Sequence, residues 1–266
     1  MALTRELRLR IVSGIVMMAV ALSALWFGGV AFWALASLLA ALMMLEWATM
    51  AQASRWQLLL SVLAVAALML SSLSFADPIK LATIADRLIA QTVDLTGLAA
   101  ILVAVVTFRA HLGAGVLYAV FPAVALIYLR EQPSIGFALA LWTLVIVWAT
   151  DIGAYFAGRA IGGPKIAPSI SPSKTWAGLA GGMVSALICG AAVASASGLA
   201  TPFLIAGAPL AVAAQAGDFF ESWLKRRSGV KDSGTLLPGH GGVLDRLDGV
   251  VPVALLVAAG VAGGIL

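Results

Sequence analysis

Long apolar runs, broken by short polar connections, decide what this chain can fold into. Nine stretches, at roughly 11–30, 31–50, 56–75, 95–109, 113–129, 134–156, 175–197, 201–221 and 249–266, approach the roughly 20 apolar residues that cross a bilayer core as a helix. In hydrocarbon every backbone N–H and C=O must be satisfied within the protein, so such segments are expected as helices. Composition agrees: 62% of the residues are hydrophobic and 11% are charged, against roughly a quarter charged in soluble domains. A soluble chain of this make-up would lack the polar surface to cover its core. The expected fold class is therefore all-α, a polytopic membrane protein with about nine transmembrane helices. The stretch that follows Arg5, Arg8 and Arg10 is too long for a signal peptide and lacks a small-residue cleavage site, so it reads as a retained first span.

Basic residues set the expected orientation. With the N-terminus in the cytoplasm and nine spans, the outer connections hold only Lys80, Arg87 and Arg130 of the 16 basic residues. The others fall inside, as the positive-inside rule requires. Merging the fourth and fifth runs across Arg109–Gly113 would carry the regions around Arg159 and Lys225 outside and ruin the asymmetry. A break is therefore predicted there, with both polar regions of the second half in the cytoplasm. The outer segment from Asp77 to Asp94 is expected to be a loop holding a short amphipathic helix. A basic inner face attracts anionic headgroups and polyphosphates. Nucleic acid is not an expected partner, because no soluble basic domain or aromatic-interleaved patch exists to hold a strand. The lone Cys189 lies inside the seventh run and excludes an intrachain disulfide.

Texture divides the chain into residues 1–133, apolar scaffold helices, and residues 134–266, which carry the longer polar loops; the two are expected to form one integral membrane unit. Glu46 and His111 stand isolated in the first half and are given structural or interfacial roles. In the second half, the 31 residues from Asp218 to Asp248 hold ten of the 28 charged side chains. Charge collected at a bilayer is costly and usually functional. Asp218, Glu221, Ser222 and Lys225 fall at i, i+3, i+4 and i+7, on one helix face. Asp245 and Asp248 follow at i, i+3 before the ninth run, with Arg246 between them. Each carboxylate has a plain alternative as a capping or interfacial residue. Together, carboxylates at the ends of neighbouring helices can converge on a metal, and hard oxygen donors beside phosphates favour magnesium. His240 lacks Cys or His partners at zinc spacing.

Between these ends, Gly234, Pro238, Gly239, Gly241 and Gly242 make a loop of little bulk that can approach a polyphosphate closely, with Lys225, Arg226 and Lys231 nearby. Upstream, Asp151 to Arg159 ends the sixth run, and a loop leads to Ser171-Pro172-Ser173-Lys174-Thr175. Ser171 and Ser173 have a plain alternative as caps of the seventh helix; the functional reading is a second phosphate clamp, with Lys174 supplying charge and helix amides adding donors.

The run from Ser222 to Asp248 resembles the signature of the phosphatidate cytidylyltransferases, or CDP-diacylglycerol synthases. It carries Ser222, Lys225-Arg226, Lys231-Asp232, His240-Gly241-Gly242 and Asp245-Arg246-Leu247-Asp248 at the family's intervals. Asp151-x-Gly153-Ala154-Tyr155, Gly158-Arg159 and Ser171-Pro172-x-Lys174-Thr175 are similar to it as well. Ile152, Ser173 and Ala177 stand where the family usually has Thr, Lys and Glu. The resemblance covers about residues 134–250, and the first half in apolar texture alone.

The resemblance implies transfer of a cytidylyl group from CTP to phosphatidate in phospholipid biosynthesis, at the inner membrane of a bacterium. On that reading Asp218 and Asp245 are metal ligands for Mg2+, with room for a second metal ion. Lys225, Arg226, Lys231 and Arg246 neutralise phosphates, and Asp232, His240 and Asp248 are further catalytic residues. Asp151, Ser171, Pro172, Lys174, Thr175, Ser222, Gly241 and Gly242 contact substrate. The partners implied are CTP, phosphatidate and the lipid bilayer, and a homodimer is compatible with them. Two rival classes fit the sequence less well. A CDP-alcohol phosphotransferase shares only Asp248-Gly249, and an ion or anion transporter would spread its polar residues through mid-membrane segments.

The basic asymmetry yields a topology test. A cysteine at Ser169, in a Cys189-free background, is expected to resist impermeant thiol reagents applied to intact cells and to react after permeabilisation. Labelling in intact cells would reverse the orientation.

Overall fold

The computed structural model describes residues 5–237, 239 and 241–266, with side chains described for these except 5–11 and 78–86. The first half folds as α1 (Arg5–Phe27), α2 (Gly29–Met50), α3 (Arg55–Ser71), a short 3-10 turn (Ser72–Ala76), α4 (Pro78–Thr107) and α5 (Ala110–Arg130). The second half contains α6 (Gly136–Ala160), α7 (Trp176–Ala196), α8 (Thr201–Ile205), α9 (Gly207–Arg227), α10 (Leu244–Leu247) and α11 (Val250–Ala262). The architecture is that of an all-α, polytopic membrane protein. Among the described residues, six helical segments are long and apolar enough to cross a membrane, and shorter apolar helices lie at Val12–Phe27 and Val250–Ala262. By length and composition the described residues thus give six such helices, and the expected count of nine is not confirmed.

Two features depart from the sequence reading. A short antiparallel hairpin joins α6 to α7, with β1 (Lys165–Ala167) and β2 (Ser171–Thr175) placing Lys165 opposite Thr175 and Ala167 opposite Ser171. The segment after Asp77 is no loop: Pro78 opens α4, where a missing N–H costs nothing, and the helix continues to Thr107.

The chain gathers into two compact units, one joining Met1–Pro133 to Ser228–Arg246 and the other joining Ser134–Arg227 to Leu247–Leu266. In the first unit the helix ends are tied in two sets. Arg130, closing α5, donates to the carbonyls of Leu25 (2.6 Å) and Trp26 (3.1 Å), while Glu131 accepts from the Gly29 amide (2.6 Å). Gly28 takes φ 62°, and a Cβ there would lie 2.4 Å from the Arg130 guanidinium. At the other ends of the same helices, Arg109 donates to the carbonyls of Ala51 (2.9 Å) and Gln52 (3.2 Å), and the Trp47 indole donates to the His111 carbonyl (2.8 Å). Arg109 is the extended residue between α4 and α5, after Phe108 at φ 53°. The break predicted from charge asymmetry is therefore present.

In the second unit small residues let helices meet backbone to backbone, as is usual where lipid provides no hydrophobic drive between them. A Cβ on Gly153 of α6 would sit 2.6 Å from the Gly181 carbonyl of α7, and one on Gly181 would sit 2.2 Å from the Cβ of Ala157. Trp142 of α6 donates to the Gly190 carbonyl of α7 (2.9 Å) and meets Phe203 of α8 edge-on, with ring centroids 5.0 Å apart. Gly207, opening α9, lies against α7, where its Cβ would stand 2.5 Å from the Ala186 carbonyl.

Two glycines separate packing from propensity. Gly207→Ala is expected to lower stability by about 1–3 kcal/mol, because the obstacle is backbone and cannot rotate away. Gly97→Ala, in α4 with nothing within 4 Å of the added Cβ, should leave stability unchanged or raise it by up to about 1 kcal/mol. Thermal unfolding in detergent reads both; equal shifts would contradict the packing argument.

Candidate active site

The two units position the predicted residues separately. In the second unit the centre is Lys174, near the end of β2. The hairpin brings its side chain to Asp218 of α9, and the two form an ion pair. Two further carboxylates, Asp151 of α6 and Asp248 before α11, act on the same ammonium; burial nevertheless holds the Lys174 pKa below its ordinary value. Gly217 makes this arrangement possible, since a Cβ there would lie 2.2 Å from the Asp248 carbonyl. The α9 backbone thus reaches the chain before α11 at the residue preceding Asp218.

Asp248 is largely buried, and burial pushes its carboxyl up to about 6. The Gly249 amide, which donates to its Oδ1 at 2.8 Å, opposes the rise, as do Lys174 and Lys225, whereas Asp151 adds to it. One turn beyond Asp218, Glu221 pairs with Lys225 at 2.6 Å across i, i+4. The shared face expected for Asp218, Glu221 and Lys225 carries these two ion pairs. Ser222 is half-buried on α9, and Arg226 is exposed in its last turn.

A cavity of about 460 Å3 opens beside Lys174. Asp151, Tyr155, Gly158 and Arg159 of α6 line one wall, with Ser173, Lys174, Thr175, Gly178 and Gln215 around the rest. Arg159 donates to the Tyr155 hydroxyl at 3.0 Å. Thr175, and neither Ser171 nor Ser173, caps α7: its hydroxyl accepts from the Gly178 amide at 3.0 Å. Ser171 is instead buried in β2 and Pro172 is exposed beside it. A second hollow of about 630 Å3, between α6 and α7, is almost wholly apolar, with Phe156, Ile161, Val184 and Ile188 among its walls.

In the first unit the glycine loop folds back on itself through an isolated bridge, in which the Leu237 amide donates to the Gly241 carbonyl at 2.9 Å. Asp245 organises it. Its Oδ2 accepts from the amides of Ser233 (3.0 Å) and Gly242 (2.7 Å) and lies 3.0 Å from the Ser233 hydroxyl. Gly241, at φ 81°, would place a Cβ 2.6 Å from that same oxygen. Lys231, Asp232 and Arg246 are exposed in this segment, whereas His240 and Pro238 lie outside the described residues. Sequence reading passed over Ser233, Gln215 and the partners of Glu46. For Glu46 the signal was present: it is the one charge in the apolar run of α2.

Among the described residues, no three His, Cys, Asp or Glu side chains converge as a metal site. Single carboxylates still suit a cation of the magnesium type, which keeps several waters and takes other ligands from substrate phosphates. The Asp218 and Asp245 carboxylates are hard oxygen donors of the kind such a cation takes; Asp218 is paired with Lys174, whereas Asp245 meets amides and a hydroxyl.

The class this defines is a helical membrane protein with a paired ammonium and carboxylate beside a cavity. Comparison with known proteins specifies the class. Residues 8–262 match the cytidylyltransferase family, and the chain belongs to that family. It is 38% identical over 259 residues to a phosphatidate cytidylyltransferase of Brucella suis biovar 1 (strain 1330), covering 95% of this chain and 92% of the relative. Proteins of the same name from Haemophilus influenzae and Bacillus subtilis (strain 168) are each 44% identical over 125 residues. These matches cover 44% and 46% of this chain, and 43% and 46% of the relatives.

The raised Asp248 pKa has a pH signature. The native state binds this proton more tightly than the unfolded chain does, so its contribution to stability is full near pH 4 and is lost as pH rises to about 6. Asp248→Asn should remove that component. Its melting temperature relative to the parent is expected to climb between about pH 4 and pH 6 and then level off. A pH-independent offset would show that Asp248 does not titrate this way.

Proposed function

We propose that this protein transfers the cytidylyl group of CTP to phosphatidate, giving CDP-diacylglycerol and pyrophosphate. The observation that carries the reading is Lys174, set at the wall of a cavity that Asp151, Arg159 and Gln215 also line, and paired with Asp218. A phosphatidate oxygen attacks the α-phosphorus of CTP in line, the bond to the bridging oxygen breaks, and pyrophosphate leaves with the electron pair. Such transfers rest on positioning and charge neutralisation, and no protein nucleophile is needed. Lys174, Lys225, Arg226, Lys231 and Arg246 neutralise the phosphates. Asp151, Ser171, Pro172, Thr175, Ser222, Gly241 and Gly242 contact substrate, and Asp232, His240 and Asp248 complete the catalytic set.

Asp218 and Asp245 are each proposed as ligands of Mg2+. The bound ion would supply positive charge against the developing charge on the phosphate oxygens. The apolar hollow lined by Phe156 and Ile188 offers a wall for an acyl chain that must stay in lipid. Placement in a bacterial inner membrane, with the N-terminus and polar loops in the cytoplasm, completes the reading, and a homodimer is one allowed assembly. The tied helix ends favour that orientation. The α2–α3 turn and Arg109 lie together at one end of the first unit, and Arg130 lies at the other.

Purified protein given labelled CTP, phosphatidate and magnesium is expected to form a labelled lipid, and excess chelator should stop it. Asp218→Asn and Asp245→Asn should each lower turnover by about 100-fold or more while the protein remains folded. Near-normal turnover in both variants, or full turnover in chelator, would sink the assignment.

A further inference from the structure

Glu46 is the one charged residue of α2 and is only 3% exposed. A carboxylate in such surroundings must be given its hydrogen bonds by the protein. All of those described come from one distant segment. Oε1 accepts from the Val243 amide at 2.8 Å; Oε2 accepts from the Leu244 amide at 2.9 Å and from the Ser233 hydroxyl at 2.9 Å. Ser233 carries a single hydroxyl proton. With that proton on Glu46, Asp245 is held by the Ser233 and Gly242 amides. Glu46, Ser233 and Asp245 thus form a relay of contacts in which the first carboxylate fixes the loop that presents the second.

Two glycines are shaped around this relay. A Cβ on Gly242 would stand 2.1 Å from the Ser233 hydroxyl and 2.5 Å from Glu46 Oε2, and one on Gly234 would stand 2.7 Å from Glu46 Oε1. The absence of side chains in this part of the loop therefore has a cause inside the protein, separate from access for a polyphosphate. A residue that only filled space in α2 would need neither three donors nor two glycines.

We propose that Glu46 is a positioning residue for cytidylyl transfer: it clamps Ser233, Val243 and Leu244 so that the Asp245 carboxylate is held in one orientation. The proposal rests on the reading that Asp245 serves the transfer. Glu46 acts through Ser233 and the loop backbone and does not itself meet substrate. Its negative charge is part of the device, since every partner is a donor. Glutamine would turn an NH2 toward an amide or toward the hydroxyl, and aspartate would fall one methylene short.

The test combines hydrogen exchange with kinetics on the full-length protein. In Glu46→Gln, peptides covering residues 233–245 should exchange faster than in the parent, without metal or substrate present, while α6 and α7 keep their protection. In the cytidylyl assay kcat should fall about 10–100-fold per folded molecule, with KM for CTP nearly unchanged and more magnesium needed for half-maximal rate. Ser233→Ala leaves the two amide bonds to Glu46 intact and guards against misfolding of the first variant. It should reproduce the kcat loss in part, and the double variant should be no worse than Glu46→Gln, because both changes cut one relay. Unchanged exchange in 233–245 would overturn the clamp. Faster exchange with normal kcat would overturn its role in the reaction, as would additive losses in the double variant. A parent protein that makes no labelled lipid would instead refute the functional reading, and the exchange measurement would still report on the clamp.

Discussion

A carboxylate buried among apolar helices has no water to turn to, and most of the polar architecture follows from that constraint. Leaving one charge unpartnered costs several kcal/mol, so each buried acid must collect donors from backbone, hydroxyl or ammonium. The two units do this differently. Glu46 and Asp245 receive amides and one shared hydroxyl. Asp218 receives an ammonium from Lys174. In both cases the donors must come close, and glycines appear where they do: Gly234 and Gly242 against Glu46, Gly241 against Asp245, and Gly217 where α9 meets Asp248.

The choice of donor has chemical consequences. Amides and hydroxyls satisfy a carboxylate without cancelling its charge, so Asp245 keeps its attraction for a cation. An ammonium cancels most of it, so the Lys174–Asp218 pair is nearly neutral at rest. Lys174 also faces Asp151 and Asp248. A phosphate approaching this lysine therefore meets acids as well as a base, and a cation travelling with the phosphate would relieve that conflict.

What could be read from the sequence divides along physical lines. Apolar runs became helices because length and hydrophobicity act locally, and the break at Arg109 could be inferred because basic residues must collect on one side. The signature residues could be named because their spacing is written in one segment. The β1–β2 hairpin was missed since Ser171-Pro172-Ser173-Lys174-Thr175 shows no alternation of apolar and polar residues. Thr175 displaced the two serines as the cap of α7 for a geometric reason: only it stands in the extended conformation directly before the first helical residue. Glu46 was visible as an anomaly in an apolar helix, but its partners were not, because nothing near it in the chain announces Ser233 or Val243.

That separation also bears on how the protein is made. The bonds from Ser233, Val243 and Leu244 to Glu46 span 187, 197 and 198 residues. At a ribosome's roughly 5–20 residues per second, about 10–40 seconds pass between the synthesis of Glu46 and that of the last donor. Throughout that interval α2 exists without the groups that satisfy its carboxylate. Until then the acid must stay near the headgroup boundary or borrow water. Closing of the loop onto Glu46 is therefore a late event, and the assembly of the first unit waits on a segment written near the end of the chain.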